Sequence, residues 1–153
     1  MDTPHQLVVF TLDDQRYGLP LASVERATRI VEITPLPDAP AIVLGLINVH
    51  GRLVAVVNLR HRFRLPGREF ALSDQIVVAH TTRRPVALVV DAVIGVMAYA
   101  EQQLVDAADI LPGTDHLEGV VKLDDGLILI HDLETFLSLD EARALDVAMA
   151  QDG

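Results

Sequence analysis

A mainly β protein, built as two small five-stranded barrels packed side by side with a C-terminal helix and short helical turns, is the fold this sequence predicts. Three observations predict it. Half of the 153 residues are hydrophobic but only 4% are aromatic, so the core must be made of Val, Leu, Ile and Ala, which suit tightly packed strands. The stretch Gly45 to Leu59 sets two apolar runs on either side of Val49-His50-Gly51-Arg52, the pattern of a β-hairpin with a short Gly-containing turn. Finally, Gly45-Leu-Ile recurs as Gly119-Val-Val, 74 positions later, and the same offset pairs Asn58-Leu59 with Asp132-Leu133 and Phe63 with Leu137. Two similar units, too few for a solenoid, describe a pair of small barrels.

Taken in order, Leu7 to Leu12, a polar Asp13 to Arg16 and Tyr17-Gly-Leu-Pro spell the first hairpin. Leu21, Val24 and Ala27 share a helical spacing, which predicts a turn or two of helix over Ala22 to Thr28 before Ile30 to Ile33 returns to strand. Three prolines between Thr34 and Pro40 hold an extended connector. In the second strand of the Gly45 hairpin, Leu53, Val54, Val56 and Val57 leave almost no polar face, so it should be covered on both sides. Arg60 to Ser73 is polar, holds Pro66-Gly67 and marks the expected boundary between halves. Ile76 to Ala79 and Val86 to Val90 form another hairpin, Asp91 to Val96 follows, and Leu111-Pro112 echoes Leu36-Pro37. The division is therefore about 13–70 for the first barrel and 71–138 for the second, with strand 6–12 open to joining either. Ser138 and Glu141 have the spacing of a capping box, which starts a helix over about 139–150. Its apolar stripe of Ala142, Leu145, Ala148 and Met149 is expected to lie on a barrel.

Composition excludes several functions. A net charge of −10 argues against nucleic acid, whose phosphates require a basic face. The absence of cysteine removes disulfides and thiolate chemistry and fits a reducing, cytoplasmic compartment. No apolar run approaches the roughly 18 residues of a membrane span, so any membrane association should be indirect. Histidines stand at 5, 50, 61, 80, 116 and 131, none spaced as paired metal ligands, and no phosphate-cradling loop or nucleophile elbow occurs. No catalytic residue, metal or cofactor is expected. A small hydrolase or sugar-binding barrel using Asp91, His131 and Asp132 is the rival from another class, although a hydrogen-bonded structural role is the preferred reading of His131. Arg52, Arg60, Arg62, Arg64 and Arg68, together with His50 and His61, form a basic stretch that suits an acidic partner. Replacing Arg60, Arg62 and Arg64 together is expected to leave folding almost untouched.

The Gly45 hairpin also resembles the G-x-I-N-x-R-G-x-x-x-P-V-x-D-L signature of the CheW family, adaptors that couple bacterial chemoreceptors to the histidine kinase CheA. Gly45, Ile47, Asn48, Gly51, Val56 and Leu59 match it, while His50, Ala55 and Asn58 stand where the family has Arg, Pro and Asp. The resemblance continues through Tyr17-Gly18, Val24-Glu25-Arg26, where Arg26 replaces an acid, and Val89-Val-Asp-Ala-Val93. It implies two SH3-like barrels, no catalysis, and a monomeric cytoplasmic adaptor recruited to membrane-associated receptor arrays. It further implies a receptor-tip groove at Val24, Arg26, Gly45, Ile47, Asn48, His50, Gly51, Val90, Val93 and Gly95. Contacts with the regulatory domain of a CheA-type kinase would fall at Arg52, Val54 and Arg60. A CheW-like scaffold serving surface motility or second-messenger output is the alternative within the family. Arg26 and His50, if neighbours, would repel each other on acidification and retune the choice of partner.

Overall fold

The computed structural model describes residues 5–67, 69–106 and 117–152; the expected Leu111-Pro112 echo and Arg68 lie outside them. Strands β1 (His5–Leu12), β2 (Gln15–Pro20), β8 (Ala92–Tyr99), β9 (Leu104–Asp106), β10 (Leu117–Leu123) and β11 (Gly126–His131) form a six-stranded sheet in the order β8-β1-β2-β11-β10-β9. Strands β3 (Val24–Arg29), β4 (Val43–Val49), β5 (Arg52–Val57), β6 (Gln75–His80) and β7 (Pro85–Val90) form a five-stranded sheet in the order β3-β6-β7-β5-β4. Each sheet is antiparallel except for one parallel pairing, β5 with β7 and β2 with β11.

The 74-residue repeat is visible in the two hairpins that carry it. In β4–β5 the register slips just before Gly45, and in β10–β11 it slips just before Gly119. Past each second strand a side chain caps a short helical turn: the Asn58 oxygen accepts from the His61 amide, and the Asp132 oxygen from the Glu134 amide. The chain does not divide at 70/71, however. The second repeat's hairpin β6–β7 joins the first repeat's β3, β4 and β5, while β1–β2 joins β8, β10 and β11. Each sheet thus takes one hairpin from the other repeat. A hairpin is closed locally, but its neighbours in a sheet are chosen by the packing of distant segments.

Three apolar clusters follow from this exchange. Ile47, Val49, Val54, Val56, Ile76 and Val78 fill one barrel, and Leu7, Val9, Val121, Ile128 and Ile130 fill the other. Between the barrels lies a larger shared core that includes Phe10, Leu19, Val57, Val77, Leu88 and Phe136. Strands β5, β6 and β7 alternate between a barrel interior and the shared core, so both faces are buried and neither needs polar residues. Arg52 and Leu53, at the start of β5, are the exceptions; half of the Leu53 surface is exposed. His131 is buried at this junction, its ring stacked on Phe63 (4.1 Å) and Tyr17 (4.9 Å), with Phe136 edge-on at 5.4 Å. The few aromatic residues are thus concentrated where the two repeats meet.

Two local expectations are corrected. The helix over Ala22 to Thr28 is only a 3-10 turn at Leu21–Ser23, because Val24–Arg29 instead pairs with β6; ladder formation outweighs the helical spacing of Leu21, Val24 and Ala27. Ile30 to Ile33 is not a strand. Ile30 and Ile33 pack on the interior of the first barrel, and the segment ends in a single bridge between Thr34 and Leu46. The irregular stretch after Arg60 begins with a helical turn, α1 (Leu59–Arg62).

The C-terminal helix α2 (Leu139–Asp152) starts as its capping box predicts. The Glu141 amide donates to the Ser138 hydroxyl (3.1 Å), and the Ser138 amide donates to the Glu141 carboxylate (2.8 Å). Its buried Leu145 and Ala148 join the shared core, so the helix seals both barrels together rather than one alone. Burial pushes the Glu141 carboxyl upward, but the Ser138 amide and Arg62 outweigh that and hold its pKa below the ordinary value. The cap's stabilisation is therefore present at neutral pH and lost as pH falls through that lowered pKa. Ser138→Ala is expected to cost about 1 kcal/mol, read as a melting temperature lower by about 2–4 °C.

Candidate functional site

The candidate binding residues occupy two exposed regions and a buried frame beneath them. The first region is the seam that closes the five-stranded sheet. β3 and β4 are its opposite edges, and the sheet curls until the β4–β5 turn reaches β3. There Arg52 donates to Glu25 at 2.6 Å, and an Arg26 guanidinium nitrogen meets His50 Nε2. The turn is held by its own chemistry. His50 and Gly51 both take positive φ, 50° and 83°, as a two-residue hairpin turn requires, and the Gly51 amide donates to the Asn48 side chain at 2.7 Å. Asn48 is thereby committed to shaping the loop. His80 Nε2 lies 3.1 Å from Glu25, and the hydrogen bond from Arg52 holds the Glu25 carboxyl below the usual carboxylate pKa. Arg26 and His50 are therefore neighbours.

The second region is the outer face of β8. Ala92, Ile94, Val96 and Ala98 are exposed in alternation with half-buried Val93, Gly95, Met97 and Tyr99. Ile94 and Val96 are 54% and 55% exposed. β8 is an edge strand bonded only to β1 among the described residues. A Cβ built on Gly95, which shares the parity of Val93 and Met97, would meet nothing within 4 Å. Val93 belongs to the opposite face and packs on the shared core, as does Val24 from β3.

The frame consists of residues that the sequence placed on the binding surface and the structure places inside. Ile47 and Val54 line the first barrel's interior, and Val90 lies in the shared core; the side chains of Val54 and Val90 are enclosed, while Ile47 also reaches the floor of an open pocket beside Leu53 and Asn48. Gly45 is packed against the Thr34 backbone. Arg60 is only 8% exposed. Its guanidinium bonds Asp13 at 2.7 Å, Asp91 at 2.9 Å and the Pro66 carbonyl at 3.1 Å. Asp13 first, and then Asp91, raise its pKa above the ordinary arginine value against the effect of burial. Arg62 pairs with Glu141. The expectation that Arg60, Arg62 and Arg64 form a solvated docking face is thus overturned for the first two, which tie α1 to the β1–β2 turn and to α2.

The rival enzymatic triad is absorbed in the same way. Asp91 answers Arg60, Asp132 caps a 3-10 turn, and His131 is enclosed in the aromatic stack. No grouping of His, Asp and Glu suited to a metal ion occurs among the described residues, and no helix among them is long and apolar enough to cross a membrane.

Ile94, Val96, Glu25 and His80 were not singled out by the sequence. In Ala92 to Val96 every residue is apolar or Gly, so alternation could not show which parity faces out. Glu25 and His80 are brought to the seam by pairing between β3 and β6, which leaves no local trace.

Two β-barrels locked through a shared core, with an open apolar edge strand and a charged seam, define a protein-binding module of the scaffold class. The chain belongs to the CheW-like domain family, whose model matches residues 6–141. It is 30% identical over 136 residues to the chemotaxis protein CheW of Thermotoga maritima, covering 86% of this chain and 87% of that protein. It is 25% identical over 143 residues to CheW of Klebsiella aerogenes, covering 92% and 86%. Among solved structures it is similar to the scaffolding protein TtCheW from Thermoanaerobacter tengcongensis, with a TM-score of 0.83 and 28% identity over 91% of this chain and 96% of that one.

Proposed function

We propose that this chain is a non-catalytic chemotaxis adaptor that couples the cytoplasmic tip of chemoreceptors to the regulatory domain of a CheA-type kinase at receptor arrays. The observation that carries the reading is the β8 face: apolar side chains, Ile94 and Val96 more than half exposed, on an edge strand beside a core that Val24 and Val93 border. Such a surface is unfavourable in water and suits a helical partner with an apolar stripe. The receptor surface comprises Ile94 and Val96, with half-buried Val93 and Gly95 on the other side of the strand, Val24 and Val93 at the border of the shared core, and Arg26, His50 and Gly51 supplying polar contacts at the seam. The kinase domain contacts Arg52 and the neighbouring exposed Leu53 and Val31, which border an open pocket with Thr34 and Asn48.

Ile94→Asp combined with Val96→Asp tests the receptor surface. Both side chains are mostly outside the core, so the melting temperature should stay within about 2 °C of wild type. Co-sedimentation with receptor arrays should fall at least about tenfold, the loss of roughly 1.4 kcal/mol expected of desolvated apolar anchors. Wild-type co-sedimentation of a folded double variant would place the receptor elsewhere.

A further inference from the structure

Arg26 is a cation that shares its neighbouring carboxylate, Glu25, with Arg52 and has no hydrogen bond to it. Its one hydrogen-bond partner among the described residues is His50 Nε2, and a guanidinium carries five donors. Glu25 is hydrogen-bonded by Arg52 at 2.6 Å and lies 3.1 Å from His80, and its pKa is lowered by the Arg52 hydrogen bond first, with smaller contributions from the charges of Arg52, His80 and Arg26. Two guanidinium groups thus face one carboxylate at this seam, on a chain whose net charge is −10. All five side chains, Glu25, Arg26, His50, Arg52 and His80, are at the surface. The turn that carries His50 is fixed by the Asn48–Gly51 hydrogen bond, so little ordering is needed for binding.

We infer that Arg26 and His50 form a receiving site for one carboxylate of the partner, and that filling it draws a proton onto His50. With the site empty, His50 Nε2 can only accept from Arg26, since a guanidinium has no acceptor; a proton placed on that nitrogen would break the contact and set two cations together. A carboxylate on the free guanidinium donors reverses this. It neutralises Arg26 and offers an acceptor to Nε2, so the protonated ring becomes the favoured form. Binding therefore raises the proton affinity of His50, and by linkage affinity rises as pH falls. Of the other titratable groups, His80 faces Glu25, and its protonation strengthens that pair without freeing or occupying Arg26. The identification of the partner with a receptor tip rests on the coupling reading; the carboxylate site does not.

Two measurements test it. In the first, a hexaglutamate peptide is titrated into the intact protein at pH 6 and pH 8 while the imidazole resonances are followed, with a neutral Ser-Gly peptide of equal length as control. The His50 signals should move saturably with the acidic peptide alone, the His50 midpoint should rise, and Arg26→Gln should remove both effects. An unmoved His50, or a shift shared equally by His61, overturns the site. In the second, a receptor-tip fragment is bound to wild type, His50→Gln and His80→Gln. Wild type and His80→Gln should bind at least about threefold tighter at pH 6 than at pH 8, and His50→Gln should bind equally at both. A His50→Gln variant that keeps the wild-type ratio also overturns the site, leaving the coupling reading intact. A fragment that fails to bind a protein whose His50 answers the peptide overturns the coupling reading instead.

Discussion

Gly45→Ala is expected to lower the melting temperature by at least 6 °C, and Gly45→Val is expected to leave no folded protein at 37 °C. An added Cβ would stand 2.2 Å from the Thr34 carbonyl oxygen and 2.8 Å from its carbon, and the backbone φ of 152° disfavours any L side chain. Thr34 cannot retreat cheaply. Its carbonyl accepts from the Leu46 amide at 2.7 Å, and its own amide donates to Leu46 at 2.9 Å. Relief of the clash would therefore break a bridge that holds the extended connector on β4. A strained, overpacked backbone site of this kind costs about 3 kcal/mol or more, about 2–4 °C per kcal/mol in a chain of this size. Thermal unfolding followed by circular dichroism measures it. A Gly45→Ala protein as stable as wild type would show that the connector is free to move. Because the effect is on folding, loss of receptor binding in a Gly45 variant carries no information about the groove unless the fold is measured alongside.

Arg60→Leu is expected to cost about 2 kcal/mol, a melting temperature lower by about 4–8 °C. Leucine fills the site but leaves Asp13 and Asp91 facing each other with their common cation gone; the Asp13 amide also donates to the Asp91 carboxylate at 2.8 Å. The figure is below the usual cost of breaking a buried pair because both aspartates retain access to water, 41% and 26% of their side-chain surface. Arg60→Lys should recover less than half, since an ammonium cannot span Asp13, Asp91 and the Pro66 carbonyl as a guanidinium does. Arg64→Gln, at an exposed position, is the control and should be near neutral. The clamp joins a turn of one sheet to the linker entering β8, so its loss should also loosen the apolar edge and raise amide exchange across β8. Equal melting temperatures for Arg60→Leu and Arg64→Gln would return Arg60 to the solvated face.

Local features were legible. The hairpin turns, the helix cap at Ser138 and the double-sided burial of β5 are each set by residues close in sequence, through turn geometry, side-chain capping and unbroken apolar runs. The candidate site was legible only in part. Arg26 and His50 could be marked because their charges are unusual together, whereas Ile47, Val54 and Val90 could not be separated from surface residues. A strand buried on both faces carries no polarity that distinguishes inside from outside. The basic stretch misled for a similar reason: charge is written in the sequence, but whether an arginine meets water or two aspartates from distant segments is not.

By itself, then, the sequence determined a β protein of two repeated units, their hairpins and caps, and a family resemblance carried by the Gly45 motif. The tertiary structure alone decided that the repeats exchange hairpins, that a third core forms between the barrels, and that α2 seals this core. It also decided that Arg60 is a clamp and that Ile94 and Val96 face out. The physical reason is one of range. Hydrogen bonds in a two-residue turn close within a few positions, whereas the parallel pairings β5–β7 and β2–β11 join segments far apart in the chain, and residues of both repeats are buried together in the shared core that accompanies them.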